Sequence, residues 1–194
     1  MSRTRNTNDT REWVVLARQS VFSGGPIRDV AIEKVALPDG RIVADYFTIR
    51  LPDYALVFAD MPDGTVPMFR QYKHGLKRVC LTFPGGAIDA GETPLDAARR
   101  ELLEELGLEA TTWESLGAYT TNANQGCSQA HLFRASGCAR TRDAKPGDLE
   151  DMEPVFIERA TLLAPGRLDE IGLASHVALL LLVTHPGRQH LTSR

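Results

Sequence analysis

Long apolar runs are scarce in this sequence. The longest, Val177 to Val183, is far shorter than the ~20 residues a bilayer-spanning helix needs, so no membrane span is expected. Cysteine is scarce too. Cys80, Cys127 and Cys138 are the only three among 194 residues. Their spacing matches no metal-ligand motif, and an odd count argues for free thiols in a reducing compartment. Positive charge is not in surplus. Lys and Arg number 22 against 25 Asp and Glu, a net charge of -3 at pH 7, so the chain lacks the basic excess of a nucleic-acid binder. Met1 to Arg11 is polar and has no apolar core of the kind an export signal carries. The expectation is a cytoplasmic protein with neither a nucleic-acid nor a membrane partner.

What is present is ordinary for a globular chain: 43% hydrophobic and 24% charged residues, enough for one well-packed domain with an appendage. Residues 1–11 read as a disordered tail, 12–50 as a β-rich N-terminal region, 51–185 as the main domain and 186–194 as a C-terminal tail. Val30 to Leu37 and Ile42 to Leu51 flank Pro38-Asp39-Gly40 and predict a hairpin. Tyr54 to Ala59 and Val66 to Tyr72 repeat the arrangement around Pro62-Asp63-Gly64. Val79 to Phe83 is a further short strand. The hydrophobic period then changes, and Thr93 to Leu106 predicts a helix. Thr93 is a good N-cap, Pro94 suits the first helical position, and Gly107 suits a left-handed C-cap. Strands follow near Trp113 to Tyr119, Ala130 to Ala135 and Pro154 to Glu158, with a loop over 137–148. Glu170 to Thr184 predicts a closing helix with Leu173, Val177, Leu180 and Leu181 inward. Strands flanking one central helix, closed by another, imply an α/β fold.

The central helix holds the chemistry. Glu101 and Glu105 are four residues apart and Glu104 lies three from Glu101, so all three carboxylates share about 100° of helical arc. Leu95, Ala98, Leu102 and Leu106 form the neighbouring arc, which suits a core. Like charges at this spacing repel, and Arg99 and Arg100 offset that only in part. Without other information such a cluster reads as a solvated acidic face. It is also the set of hard oxygen ligands that Mg²⁺ requires.

Residues 86–108 read GAIDAGETPLDAARRELLEELGL, and this segment resembles the Nudix box at every defined position. The matching residues are Gly86, Glu92, Arg100, Glu101, Leu102, Glu104, Glu105, Gly107 and Leu108. From typical residue frequencies, a chance match is on the order of 10⁻⁷. The resemblance implies a Nudix-type α/β/α sandwich with a mixed central sheet, and a pyrophosphohydrolase using Mg²⁺, with Mn²⁺ as a possible substitute. It implies Glu101 and Glu105 as principal metal ligands, Glu104 as a further one, and the Gly85 carbonyl as the last protein contribution. Arg100 then holds the carboxylates, and Glu92 reaches back to fix the loop–helix geometry.

The flanks resemble the ADP-ribose pyrophosphatase branch of that family. RQYKHGLKRVCLTFPGG over 70–86 is similar to its lead-in to the box, and the N-terminal β-rich region is similar to an appendage exchanged between subunits of a homodimer. Residues 148–157, DLEDMEPVFI, resemble the acidic loop that supplies a catalytic glutamate, with Glu150 the candidate and Glu153 the reserve. Lys73 stands where a phosphate-binding Arg occurs, and Arg70 is a further candidate for phosphate. Trp13 and Tyr46 are candidates to stack on the base across a dimer interface. Two departures stand out. Thr82 replaces a Glu common before the aromatic-Pro-Gly stretch, and TTNANQGCS over 120–128 has no proline where many relatives do. The substrate implied is a small nucleoside diphosphate derivative, ADP-ribose first, with another nucleoside diphosphate sugar or a dinucleotide as the alternative. A non-catalytic ligand-binding module is the reading from a different class. His74, His131, His176, His185 and His190 form no ligand constellation and read as structural.

Overall fold

The computed structural model describes residues 11–145 and 152–185. Residues 1–10 of the expected 1–11 tail, the expected tail at 186–194, and Glu150 lie outside the described residues. The described residues fall into two compact units, one within Met1–Pro52 and Thr120–Ser128, the other within Asp53–Tyr119 and Gln129–Arg194.

The first unit is an antiparallel sheet of β1 (Val14–Gly24), β2 (Ile27–Ala36) and β3 (Ile42–Arg50), in that order. The β2–β3 turn is built by Pro38-Asp39-Gly40. Gly40 adopts φ 83, which glycine reaches without a Cβ penalty, and its N–H donates to the Leu37 carbonyl at 3.0 Å. Segment 120–128 docks on this sheet. The Gln125 and Cys127 carbonyls accept from the Ile49 and Leu51 N–H groups at 3.0 and 2.7 Å. Strand β1 lies in the expected β-rich region but is not one of the strands the sequence marked. It carries Val14, Val15 and Leu16 in succession and shifts register repeatedly against β2, so it lacks the alternation by which a half-buried strand is recognised.

The second unit contains β4 (Tyr54–Ala59), β5 (Thr65–Lys73), β6 (Arg78–Thr82), β7 (Gly85–Ala87), α1 (Pro94–Leu106), β8 (Leu108–Thr120), β9 (Gln129–Arg140), β10 (Met152–Glu158), a 3₁₀ turn at Arg159–Thr161, α2 (Arg167–Ile171) and α3 (Ala174–Thr184). One sheet runs β7-β4-β9-β8, with β4 parallel to β9 and antiparallel to β7. The other runs β10-β5-β6 and is antiparallel. The fold is therefore α/β with a mixed sheet.

Strand β4 explains the layering. It is buried along almost its whole length, as a strand covered on both faces must be. Ala55, Val57 and Ala59 pack with Ala97, Ala98, Leu102 and Leu106 of α1, whereas Leu56 and Phe58 pack with Leu179, Leu180 and Val183 of α3. Helix α1 starts as the sequence predicts: Thr93 Oγ1 accepts from the Asp96 N–H at 3.2 Å, with Pro94 at N1. It ends at Gly107, φ 65, whose N–H bonds the Leu103 carbonyl at 3.0 Å. A Cβ there would sit 2.0 Å from the Arg142 carbonyl oxygen. Leu95, expected inward, is half-buried, and Ala97 takes the buried position instead.

Two expectations are corrected. The closing helix is broken at Gly172, φ 66, into α2 and α3. Its buried face is His176, Leu179, Leu180 and Val183, while Leu181 is 47% exposed. Every position from Val177 to Val183 is apolar, so composition did not mark which side faces in. The expected loop over 137–148 is shorter, because β9 runs on to Arg140 past Gly137, φ 67. Among the described residues, no helix is long and apolar enough to cross a membrane.

Candidate active site

The segment from β6 to α1 forms a strand, a sharp approach and a helix that together bring the acidic residues against backbone. Three successive residues are pinned. The Phe83 N–H donates to His176 Nδ1 at 2.9 Å, the Pro84 carbonyl accepts from the Val57 N–H at 2.9 Å, and the Gly85 N–H donates to Glu105 Oε2 at 2.9 Å. Gly85 adopts φ 147, and a Cβ there would meet the Ala55 carbonyl oxygen at 2.1 Å. Gly86 sits under Glu101, and a Cβ there would lie 2.3 Å from Glu101 Oε1. Both glycines are required by close approach rather than by turn propensity alone.

Arg100 is the hub. Its Nε and Nη2 grip Glu92 Oε1 and Oε2 at 2.9 and 3.0 Å, and Nη2 also reaches the Ala87 carbonyl at 2.9 Å. Its Nη1 donates to Glu101 Oε1 at 2.7 Å and to Glu104 Oε2 at 3.4 Å. A planar guanidinium makes such a fork where an ammonium does not. Hydrogen bonding by Arg100 holds the Glu92 carboxyl below its usual range, and the Asp89 N–H at 3.1 Å adds to this. Hydrogen bonding to Glu92 in turn raises the Arg100 pKa. Glu92 thereby ties the loop before α1 to the helix.

Gly85, Glu92, Arg100, Glu101, Glu104 and Glu105 are thus brought together. Among the described residues, no three His, Cys, Asp or Glu side chains are gathered into a ready cage for a metal ion. The guanidinium sits on Glu101 and Glu104, and one Glu105 oxygen is turned to an amide. The residues nevertheless fit a hard divalent cation. The available donors are all oxygens, and the Cβ-free surface of Gly86 leaves the Glu101 carboxylate a cradle that any side chain would fill.

The other candidates are distributed. Lys73, at the end of β5, lines a cleft of about 200 Å³ together with Gly85 and Gly86. Arg70 is exposed and pairs with Glu170 at 3.4 Å. Glu153 is exposed on β10, opposite Arg70 in register. Glu150 lies outside the described residues. The chain on either side of it is placed: the Lys145 N–H donates to the Glu104 carbonyl at 2.7 Å, and Met152 pairs with Gln71. Trp13 and Tyr46 belong to the first unit and meet edge to face, 5.5 Å between centroids. There the Tyr46 hydroxyl donates to the Asn124 carbonyl.

Sequence reasoning missed part of the cleft. Gln71, Thr82 and His176 line it beside Lys73. His176 was read only as structural, and Thr82 only as a departure from a pattern. Burial, reinforced by the charge of Lys73, lowers the His176 pKa to about 3, so the ring is neutral. It also stacks on Phe83 at 6.1 Å. A histidine one residue before the apolar run Val177 to Val183 was the available signal.

The NUDIX domain model matches residues 50–173. An ADP-ribose pyrophosphatase of Bacillus subtilis (strain 168) is 29% identical over 151 residues, 78% of this chain and 80% of that protein. A methanol dehydrogenase activator of Bacillus methanolicus is likewise 29% identical over 151 residues, with the same coverage of both chains. A solved structure described as an ADP compounds hydrolase superposes with a TM-score of 0.74 at 23% identity, covering 93% of this chain and 95% of that one, which is a likeness of fold. With an intact box on a matching fold, the chain belongs to the Nudix hydrolase family, on the branch similar to ADP-ribose pyrophosphatases.

Proposed function

We propose that the enzyme hydrolyses the pyrophosphate bond of a nucleoside diphosphate joined to a second group, with ADP-ribose the first substrate, giving AMP and ribose 5-phosphate. The observation that carries this reading is the assembled box. Glu101 rests over Gly86, Glu105 is tied to the Gly85 amide, and Arg100 joins both ends of the segment through Glu92. The name of the Bacillus subtilis relative supports ADP-ribose.

The reaction is substitution by water at phosphorus. A P–O bond forms to the water oxygen, the bridging P–O bond breaks, and the water proton passes to a base. Glu101, Glu104, Glu105 and the Gly85 carbonyl would hold Mg²⁺, or Mn²⁺ in its place, and the bound cation would neutralise phosphate charge and acidify water. Arg100 and Glu92 keep those carboxylates in register. Lys73 receives substrate phosphate as a point charge, with Arg70 an outer candidate. Glu150 positions and deprotonates the water, since carboxylates committed to a cation are poor proton acceptors. Lys145, which precedes Glu150 in sequence, donates its N–H to the Glu104 carbonyl of α1 at 2.7 Å.

A homodimer completes the reading, with the first unit contributing Trp13 and Tyr46 to the partner's base site. Val14, Val15, Phe22, Ile42 and Phe47 are each about half exposed on this sheet, an apolar surface that suits a second copy. The expected compartment is the cytoplasm. The test is a hydrolysis panel with Mg²⁺, Mn²⁺ and chelator arms, with products identified by chromatography and H₂¹⁸O marking the attacked phosphorus. Turnover of other nucleoside diphosphate sugars in preference to ADP-ribose moves the substrate. No turnover of any member in either metal overturns the enzyme reading in favour of a binding module.

A further inference from the structure

The floor of the cleft beside Gly85 and Gly86 contains a polar pair whose hydrogen bonding is incomplete. Gln71 on β5 and Thr82 on β6 lie in adjacent antiparallel strands and both are buried, 5% and 1% exposed. Gln71 Nε2 donates to Thr82 Oγ1. Gln71 Oε1 is buried and has no hydrogen-bond partner among the described residues. A buried amide acceptor left in this state is disfavoured, and natural proteins rarely retain one without a use. Gln71 lines the cleft itself, which puts its amide in the cleft wall, with Oε1 closed to solvent.

His176 lies on the same cleft, and its hydrogen bonding fixes its tautomer. Its Nδ1 accepts from the Phe83 N–H, so the neutral ring carries its proton on Nε2 and presents a donor there. The cleft thus combines an acceptor from Gln71 with a donor from His176, both uncharged, beside Lys73. A group that both donates and accepts satisfies such a pair, and a hydroxyl is the smallest that does. It also satisfies Gln71 in either orientation of its amide, since one amide atom stays unpaired whichever faces Thr82. An anion is a poor match for an acceptor oxygen, and a purely apolar group leaves it stranded.

We propose that Gln71, set by Thr82, together with His176 forms a hydroxyl-reading subsite that engages a sugar hydroxyl on the second group of the nucleoside diphosphate substrate. This rests on the hydrolase reading above and adds to it the feature that separates sugar-linked from other nucleoside diphosphates. Thr82 is central, because a short neutral hydroxyl at this position gives Gln71 a partner without charge.

The experiment compares kcat/KM for ADP-ribose and for an ADP alkyl ester that lacks every hydroxyl on the second group. The comparison is made in the wild type, Gln71→Leu and Thr82→Val. Leaving the buried acceptor unpaired gives a wild-type preference for the sugar ester of about tenfold to a hundredfold. Both substitutions collapse that ratio toward parity, mainly through KM for the sugar ester. Thermal melts show whether each variant folds. If Gln71→Leu does not fold, Thr82→Val carries the test, and the wild-type comparison requires no variant at all. Equal kcat/KM for the two esters in the wild type means that water satisfies Gln71, and this overturns the subsite while leaving the hydrolase intact. A preference retained in a folded variant does the same. Hydrolysis of neither ester refutes the hydrolase reading, and the subsite with it.

Discussion

Replacing Gly86 with alanine separates folding from function at one atom. The backbone at Gly86 is outside the left-handed region, so alanine is tolerated there as far as conformation goes. The difficulty is the space. The added Cβ would stand 2.3 Å from Glu101 Oε1, 2.6 Å from Cδ and 3.0 Å from Oε2, where ordinary contact begins at 3.4 Å. The carboxylate must therefore retreat by about 1 Å, a displacement that by itself costs about 10²-fold in rate when it moves a group that holds the reacting centre. The same movement strains the 2.7 Å bond from Arg100 to Glu101. Stability falls little, about 1 kcal/mol or a few degrees in Tm, because what moves is the end of a flexible side chain. Gly85→Ala is the contrast. Its Cβ would strike the Ala55 carbonyl oxygen at 2.1 Å with φ at 147. Backbone then meets backbone across the β4–β7 pair, and the cost is at least about 3 kcal/mol. The assay is kcat on ADP-ribose at saturating Mg²⁺ beside a thermal melt, with Mg²⁺ affinity from calorimetry. Near-wild-type kcat and Mg²⁺ affinity in Gly86→Ala would refute a role for Glu101 at that position.

Other outcomes follow from the same geometry. Glu105→Gln lowers turnover by at least about 10²-fold, a loss of about 3 kcal/mol of charge stabilisation. It keeps an oxygen for the Gly85 N–H, so normal kcat in a folded variant counts against the ligand assignment. Glu150→Gln reduces kcat by about 10²- to 10⁴-fold with KM little changed, whereas Glu153→Gln is mild. The reverse pattern identifies Glu153 as the base. Sedimentation shows a dimer at micromolar concentration, and a monomer throughout that range removes the intersubunit base site. For His176 the folded pKa of about 3 lies below the ordinary 6.5, so the unfolded chain takes up a proton that the folded chain refuses. Its contribution is complete above about pH 6.5 and is lost as pH falls toward 3, with a slope of up to about 1.4 kcal/mol per pH unit. Urea midpoints at pH 7, 6 and 5 that differ no more in wild type than in His176→Asn contradict this.

The box was legible because its information is local. Thr93, Pro94 and Gly107 mark the ends of α1 by backbone chemistry within a few residues, and helical spacing alone puts Glu101, Glu104 and Glu105 on one arc. The hairpin turn at Pro38-Asp39-Gly40 was legible for the same reason. Strand β1 and the break at Gly172 were not. In β1 the apolar residues do not alternate, and around α3 they leave no polar face, so periodicity had nothing to report. The tertiary structure decided what depends on neighbours distant in sequence. The glycines of β7 were recognisable as part of a motif, but only the fold shows that Gly85 is pressed against Ala55 and Gly86 against Glu101. Gln71, Thr82 and His176 come from two adjacent strands and a late helix. Nothing in their spacing announces that they share one cleft, because strand pairing and helix packing, rather than sequence separation, set which side chains meet.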